Sequence, residues 1–436
     1  MTNIAEKISP GDKLIAELEL NQDSLTGSDV IRSTRRNALK SFSKQGLPAR
    51  KSEEYKYSPV NRLFQKELSF VTASPVSDEK ENSFALAGLD ASVIRILNGV
   101  VHIPVSGFDS ATCAAWSLKS LPKEELSFFE NHFAHYALPD TDPFIALNTA
   151  AFQDVLIIKI ADGAALAKPI LIQNITDSTH ASFTQPRIFI HVGKNASVEI
   201  IEQFASTKKE YATVCNAVSE IVVESGAKAL FYKLQNDCAG LQLISTTQVY
   251  QHHDSHFDTH TVTFSGSWTR NNLNIVPDGE HCETHLNGLF ILNEEQHTDN
   301  HTLVDHRKPN CESNQLYRGI LKNKSTGVFN GKIYVRPDAQ KTNAYQSSKN
   351  MLLSDDASMY TKPQLEIYAD DVKCSHGSST GQIDEEALFY LRARGISADS
   401  ARILLMQAFA KDVVNTIRIE PLRKEIELLI EKRLAN

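Results

Sequence analysis

The chain lacks the patterns that mark membrane, secreted and nucleic-acid-binding proteins. None of its apolar runs approaches the ~18 residues needed to span a bilayer. The amino terminus, MTNIAEKISPGDKL, has no basic segment followed by an apolar one. There is no long run of Lys and Arg, and the net charge of −8 disfavours a nucleic-acid surface. We therefore expect a cytoplasmic protein that binds neither membranes nor nucleic acid.

Two further groups of motifs are missing. The sequence has no GxGxxG or GxxxxGK[ST] pattern, so we expect no nucleotide site in this chain. The cysteines are scattered and form no CxxC pair, which suits a reducing compartment better than a disulfide framework. The cysteines are Cys113, Cys215, Cys238, Cys282, Cys311 and Cys374.

The sequence pattern predicts short strands over most of the chain. With 436 residues we expect two or three domains. Residues 151–383 contain many short apolar runs that are separated by Gly, Asn and Asp without helices between them. From about 284 to 335 these runs lie about 15 residues apart, which favours a β-solenoid, with a β-sandwich as the alternative. Residues 1–90 and 384–436 have helical patterns, and 91–150 read as a hairpin and helical connector.

The most informative segment is ADDVKCSHGSSTGQ, residues 369–382. On a strand, Cys374 and His376 would point to the same face, where a thiol and an imidazole could bind iron or zinc. The alternative is structural, because a free Cys is commonly a small buried apolar residue. A mononuclear zinc site needs about four ligands and only two are here, so another chain would have to complete any site.

Histidines crowd the centre of the strand region. The pairs His281/His285 and His297/His301 are four residues apart, which on a strand is about 13 Å and too far for one ion. We therefore expect these histidines at the surface or in packing, and keep a stand-alone zinc site as an alternative. The group comprises His252, His253, His256, His260, His281, His285, His297, His301 and His306.

Two pairs of adjacent carboxylates raise a second alternative. A solenoid carbohydrate lyase or hydrolase would need paired carboxylates, and the chain has Asp355–Asp356 and Asp370–Asp371. Adjacent residues on a strand face opposite sides, so these pairs are expected in turns.

The segment VFNGKIYV…KCSHGSSTG…YLRARGIS, residues 328–397, resembles the SufB/SufD family of the Suf iron–sulfur cluster assembly system, on its SufD side. The segment GLPARKSEEYKY resembles the same family, with Tyr55 where Trp is common. The resemblance implies a mainly β fold with a right-handed parallel β-helix core between N-terminal and C-terminal helical domains. It also implies a non-catalytic scaffold that works with SufB and the ATPase SufC, which would dock on the C-terminal helices.

The resemblance further implies a site for a transient Fe–S cluster or iron shared with SufB. His376 is its expected ligand and Cys374 a weaker candidate. SufB-like chains carry a Glu after the matching His and a sulfur-accepting Cys six residues before a Pro, whereas Gly377 and Ala357 stand here. This chain is therefore not expected to build a cluster alone. A homodimer of the isolated chain and a reduced flavin in the complex are left open by the sequence.

Overall fold

The computed structural model describes residues 10–21, 25, 27–49, 52–64, 68–70, 84–103, 108–109, 111–207 and 213–435. The helices are α1 Pro10–Asn21, α2 Asp29–Gln45, α3 Lys123–His132, α4 Pro143–Ala151, α5 Glu385–Ala393, α6 Ala398–Val414 and α7 Glu420–Ala435. Short 3-10 segments are Glu53–Tyr55, Val60–Phe64 and Leu118–Ser120.

Twenty-one strands are present in the described part of the chain. They are β1 Ser69–Phe70, β2 Ser92–Leu97, β3 Val100–His102, β4 Cys113–Ser117, β5 Leu156–Ile160, β6 Ile170–Thr176, β7 Ser182–Thr184, β8 Arg187–Val192, β9 Ser197–Ser206, β10 Thr213–Val223, β11 Lys228–Asp237, β12 Leu241–Gln251, β13 His256–Thr263, β14 Trp268–Pro277, β15 Glu283–Leu292, β16 His297–His306, β17 Glu312–Leu321, β18 Thr326–Val335, β19 Asn343–Leu352, β20 Ser358–Ile367 and β21 Lys373–Gly381.

The strands form two long sheets, and from β9 onward consecutive strands alternate between them. One sheet has the order β4-β5-β8-β10-β12-β14-β16-β18-β20, and the other β3-β2-β6-β9-β11-β13-β15-β17-β19-β21. From β5 to β20 and from β6 to β21 all neighbours are parallel, eight strands in each sheet. The prediction of a mainly β solenoid core between terminal helices is confirmed, and the sandwich alternative is wrong.

The predicted spacing near 15 residues is half a turn of this solenoid. Each turn contributes one strand to each sheet, so residues stacked in register are 26 residues apart (Gln242 and Trp268) to 32 apart (Thr326 and Ser358). The predicted connector also joins the stack. The hairpin of β2 and β3 pairs with β6, and β4 pairs antiparallel with β5.

One corner of each turn uses a residue with left-handed backbone geometry. At each of these corners except His281, the N–H donates to a carbonyl of the next turn, as from Asn195 to Ser225 O at 3.0 Å and from Asp254 to Glu280 O at 2.9 Å. Gly, Asn and Asp tolerate this geometry best, which explains the separators seen in the sequence. The corner residues, with φ between 56° and 71°, are Gly163, Asn195, Gly226, Asp254, His281, Asn310 and Lys341.

The interior is built from side chains that repeat in register. A continuous column of β-branched residues runs through the first sheet and ends at a Leu in β20; its buried members, all at most 1% exposed, are Ile158, Ile190, Ile221, Val249, Ile275, Val304 and Ile333. β-branched residues pack well on a pleated surface, so such a column stabilises the stack. Leu365 continues it on β20 but is only half-buried.

Helices cover the outside of both sheets. Phe42 of α2 and Phe144 of α4 belong to an apolar cluster with Val214 of the first sheet. Val413 of α6 packs in a second cluster with Leu289 of the other sheet. The starts of α2, α5 and α6 carry side-chain caps, in which Ser28, Asp384 and Ser397 accept backbone N–H groups.

A buried ion pair fastens the α3–α4 region to the solenoid. The Arg187 guanidinium contacts the Glu220 carboxylate, and both side chains are fully buried. The Glu220 carboxylate also accepts backbone N–H donors from Ala134, Tyr136 and Ala137 at 3.0–3.1 Å. Four donors converge on one carboxylate, which satisfies the charge that burial would otherwise make costly.

Candidate functional site

The Cys374/His376 motif lies on the last strand of the solenoid. Strand β21 pairs with β19, with Cys374 opposite Ala344 and His376 opposite Gln346. Ala344 and Gln346 are buried, so both motif residues occupy positions that face inward one turn earlier. The prediction that they share one face of a strand is therefore confirmed by the register.

The two side chains differ in accessibility. Cys374 is half-buried and packs at the edge of an apolar cluster with Val335 and Ala344, and burial raises the pKa of its thiol. His376 is exposed, because no further turn within the described residues covers its face of β21. The imidazole is thus free to bind a ligand from outside, whereas the thiol would have to lose a proton in a partly apolar setting.

The end of the solenoid around these residues is uncapped. Within the described residues, β20 pairs only with β18 and β21 only with β19, which leaves two adjacent unpaired strand edges that we call the open end. Ile367 of β20 stands opposite the buried Val335 yet is 39% exposed. The other end of the stack is closed by the antiparallel strands β3 and β4.

Exposed strand edges are sites of association unless they are protected. Pro363 lies in the middle of β20, where a residue without an N–H is tolerated on an edge strand. Tyr360 and Tyr368 expose 41% and 55% of their surface beside the same strand. Unpaired backbone with exposed aromatic side chains has the composition of a protein interface.

The remaining thiols offer no second ligand at this end. All five other cysteines are buried and free, and burial raises the pKa of Cys113 and of Cys215 to about 12. Ala357, which stands where the sequence comparison with SufB-like chains expects a sulfur-accepting Cys, lies buried just before β20. In this chain the open end therefore presents one accessible imidazole and one half-buried thiol.

Comparison with known proteins identifies the family. The model described as SUF system FeS cluster assembly, SufBD core domain, matches residues 174–409, and that of the SufBD protein N-terminal region matches residues 17–172. The chain belongs to the SufBD family. This confirms the resemblance drawn from residues 328–397 and gives the SufBD chain a role in iron–sulfur cluster assembly.

Relatives of this SufBD chain match it over most of their length. An iron–sulfur cluster assembly SufBD family protein of Synechocystis sp. is 30% identical over 94% of this chain and 92% of its own. The iron–sulfur cluster assembly protein SufD of Escherichia coli is 29% identical over 91% of both chains. The protein ABCI7, chloroplastic, of Arabidopsis thaliana is 27% identical over 94% of this chain and 89% of its own.

The carboxylate pairs behind the carbohydrate-enzyme alternative lie outside strands. Asp355 and Asp356 lie in the turn before β20, and Asp370 and Asp371 lie between β20 and β21. The expectation that they are turn residues is confirmed.

The central histidines that are spaced four residues apart do not pair with each other, and each contacts other residues. His297 stacks on Trp268 and lies 2.8 Å from Ser58 Oγ, and His301 Nε2 lies 3.0 Å from Asp299. His285 instead meets Asp258 of the preceding turn, at 2.6 Å. The residue spacing along a single strand does not predict this contact, because it joins residues of different turns.

The C-terminal helices leave apolar side chains exposed. Phe389 and Tyr390 of α5 are 74% and 58% exposed, and Leu404 and Leu428 are about half exposed. Among the residues described, no helix combines the length and the apolar character needed to cross a bilayer.

Proposed function

We propose that this SufBD chain is a non-catalytic scaffold subunit of a cytoplasmic SufB–SufC–SufD-type complex. In this proposal His376 supplies one ligand to a nascent Fe–S cluster, the cargo of the complex, and Cys374 is a secondary candidate. The supporting observation is an exposed imidazole on an unpaired edge strand, inside the segment whose sequence carries the family resemblance.

A partner is needed for chemical reasons. Iron in such sites takes about four soft or borderline ligands, and the open end offers two side chains of that kind. A second solenoid, SufB, docked on the same end would add its own ligands and pair with the bare edges of β20 and β21. Adding strands to an unpaired edge gives backbone hydrogen bonds, and side chains then set specificity. The isolated chain would form a homodimer through the same surface.

The ligand role of His376 is tested in the co-purified complex. His376→Ala should lower iron and acid-labile sulfide per complex several-fold, and Cys374→Ala should lower them less. His102→Ala is the matched control, because His102 is an exposed histidine on β3 at the opposite end of the solenoid. An unchanged cluster yield in His376→Ala complexes would refute the ligand role. The absorbance of the same complexes shows whether a reduced flavin accompanies the cluster.

The C-terminal helices are the proposed docking surface for the ATPase SufC, which would supply the nucleotide site that the sequence of this chain lacks. The supporting observation is the exposure of Phe389 and Tyr390 on α5. The double variant Phe389→Glu/Tyr390→Glu should lose SufC in co-purification while the chain remains folded. Leu20→Glu is the control, because Leu20 is 85% exposed on α1. Full retention of SufC by the double variant would rule out docking through α5.

A further inference from the structure

A cluster of metal-ligating side chains lies on the outer face of the second sheet, remote in sequence from the open end. His256 and Asp258 are two residues apart on β13, and β15 places His285 opposite Asp258 and Glu283 opposite His256. One ligand atom from each of His256, Asp258 and His285 lies within 4.8 Å of the others. Among the described residues no other three His, Cys, Asp or Glu side chains come together this closely.

The distances are close to those of a coordination shell. His285 Nδ1 lies 2.6 Å and His256 Nε2 lies 2.9 Å from the same atom, Asp258 Oδ1. Ligand atoms around a tetrahedral ion at 2.0–2.1 Å are about 3.4 Å apart, so side-chain shifts of under an ångström would admit one. His256 Nε2 is also buried without hydrogen-bond geometry to any acceptor in the described structure.

The groups around the three ligands orient them. Glu283 Oε2 lies 2.9 Å from His256 Nδ1, which directs Nε2 of that ring toward Asp258. A carboxylate on the far nitrogen of a ligating histidine is the usual support of a metal-bound imidazole. The second oxygen of Asp258 is held by Arg418 at 2.8 Å, so Oδ1 stays directed at the two rings.

The site is accessible and its charges are mixed. His256, Glu283 and Arg418 line a surface cavity of about 350 Å³, together with Glu199 and Lys228. His285 is 42% exposed and Asp258 is 8% exposed at the side chain, so an ion could enter past His285. Arg418 and Lys228 oppose a cation, but the Arg418 side chain is 60% exposed and can move outward.

We propose that His256, Asp258 and His285 bind a borderline first-row divalent cation of the Zn²⁺ class, with Glu283 orienting His256. Two imidazoles and one carboxylate suit Zn²⁺ and its first-row neighbours, and a hard ion such as Ca²⁺ or Mg²⁺ would demand more oxygen ligands. This site goes beyond the proposed scaffold function. It shares no residue with the open end, so each can fail without the other.

The test is Zn²⁺ titration of the metal-free full-length chain by calorimetry, with Co²⁺ absorption as a second readout. The wild-type chain should bind one Zn²⁺, and Co²⁺ should give the visible spectrum of a four-coordinate site that Zn²⁺ bleaches. His285→Asn should weaken binding at least tenfold. Arg418→Gln keeps an amide donor for the second oxygen of Asp258 and removes the opposing charge, so it should strengthen binding several-fold.

The matched control is His253→Asn/His281→Asn. These rings also lie close together, with centroids 5.9 Å apart beside acidic neighbours, but they are exposed at turn positions and share no ligand with the cluster. Their replacement should leave the affinity unchanged. Failure of the wild-type chain to bind a stoichiometric Zn²⁺, or equal binding by wild type and His285→Asn, would overturn the proposal and leave the cluster as a hydrogen-bond network. If His285→Asn does not fold, an unchanged affinity in Arg418→Gln together with the lack of a Co²⁺ spectrum in the wild type would overturn it.

Discussion

Acid should destabilise the solenoid through one buried imidazole, His306. Its side chain is completely buried at the end of β16, its Nε2 lies 2.9 Å from Ser313 Oγ, and its Nδ1 has no hydrogen-bond partner in the described structure. Burial lowers the pKa of His306 to about 4. The ring is therefore neutral in the folded protein at pH values where an unfolded histidine, with a pKa near 6.5, is largely charged.

The direction and the size of this change in folding stability follow from proton linkage. The unfolded chain binds more protons at this residue below pH 6.5, so stability falls as the pH drops from 6.5 toward 4 and levels off below that. Each pH unit between the two pKa values is worth about 1.4 kcal/mol, which gives an upper limit of about 3 kcal/mol. At pH 5 the loss relative to pH 7.5 works out to about 2 kcal/mol.

Urea denaturation at pH 7.5 and pH 5.0 measures this effect. His306→Gln keeps an amide that can hydrogen-bond to Ser313 and removes the titration, so wild type should lose about 2 kcal/mol more than the variant over this interval. His102→Gln, at an exposed histidine of β3, controls for loss of an imidazole. Equal pH dependence in wild type and His306→Gln would show that the reasoning about His306 is wrong.

Two further predictions concern packing. Glu220→Gln should destabilise the fold by about 3–5 kcal/mol in urea denaturation, because Arg187 would keep a buried, uncompensated charge. As the control, Asp90→Asn in the exposed pair with Lys168 should change the free energy of unfolding by under ~1 kcal/mol. A smaller effect in Glu220→Gln would mean that the pair is hydrated. Gly288→Ala should cost about 1–3 kcal/mol, because its Cβ would lie 2.1 Å from the buried Tyr317 ring. Gly381→Ala, with open space, is the control, and equal stability of the two glycine variants would contradict this packing.

Local chemistry made much of the architecture predictable. Ser28, Asp384 and Ser397 precede helical patterns, and each accepts a backbone N–H at the helix start in the structure. The Gly, Asn and Asp separators reflect left-handed corners such as Asn195 and Asp254, which repeat once per turn. Helix caps and left-handed corners depend only on a few residues that are adjacent in the chain, so they can be predicted from a single sequence.

Contacts between turns were not predictable in the same way. The stacking interval varies from 26 to 32 residues because turns differ in length, so no fixed period aligns Asp258 with His285. The spacing of four between His281 and His285 instead relates two residues of a single turn. A search for ligands separated by two residues on one strand, with a third about one turn later, is the signal that would have found this cluster.

The exposure of the motif at the open end depends on both local and long-range structure. The motif could be placed on one strand face from the spacing of Cys374 and His376, but their exposure depends on what lies beyond β21. In the described structure no further turn stacks there, and the buried column that passes through Ile333 ends at the half-buried Leu365. An interior that ends at a bare edge resembles half of a core, and a second solenoid would complete it. If the proposed scaffold function is right, the shortage of ligands and the shortage of strand partners have one cause, the absence of the partner solenoid.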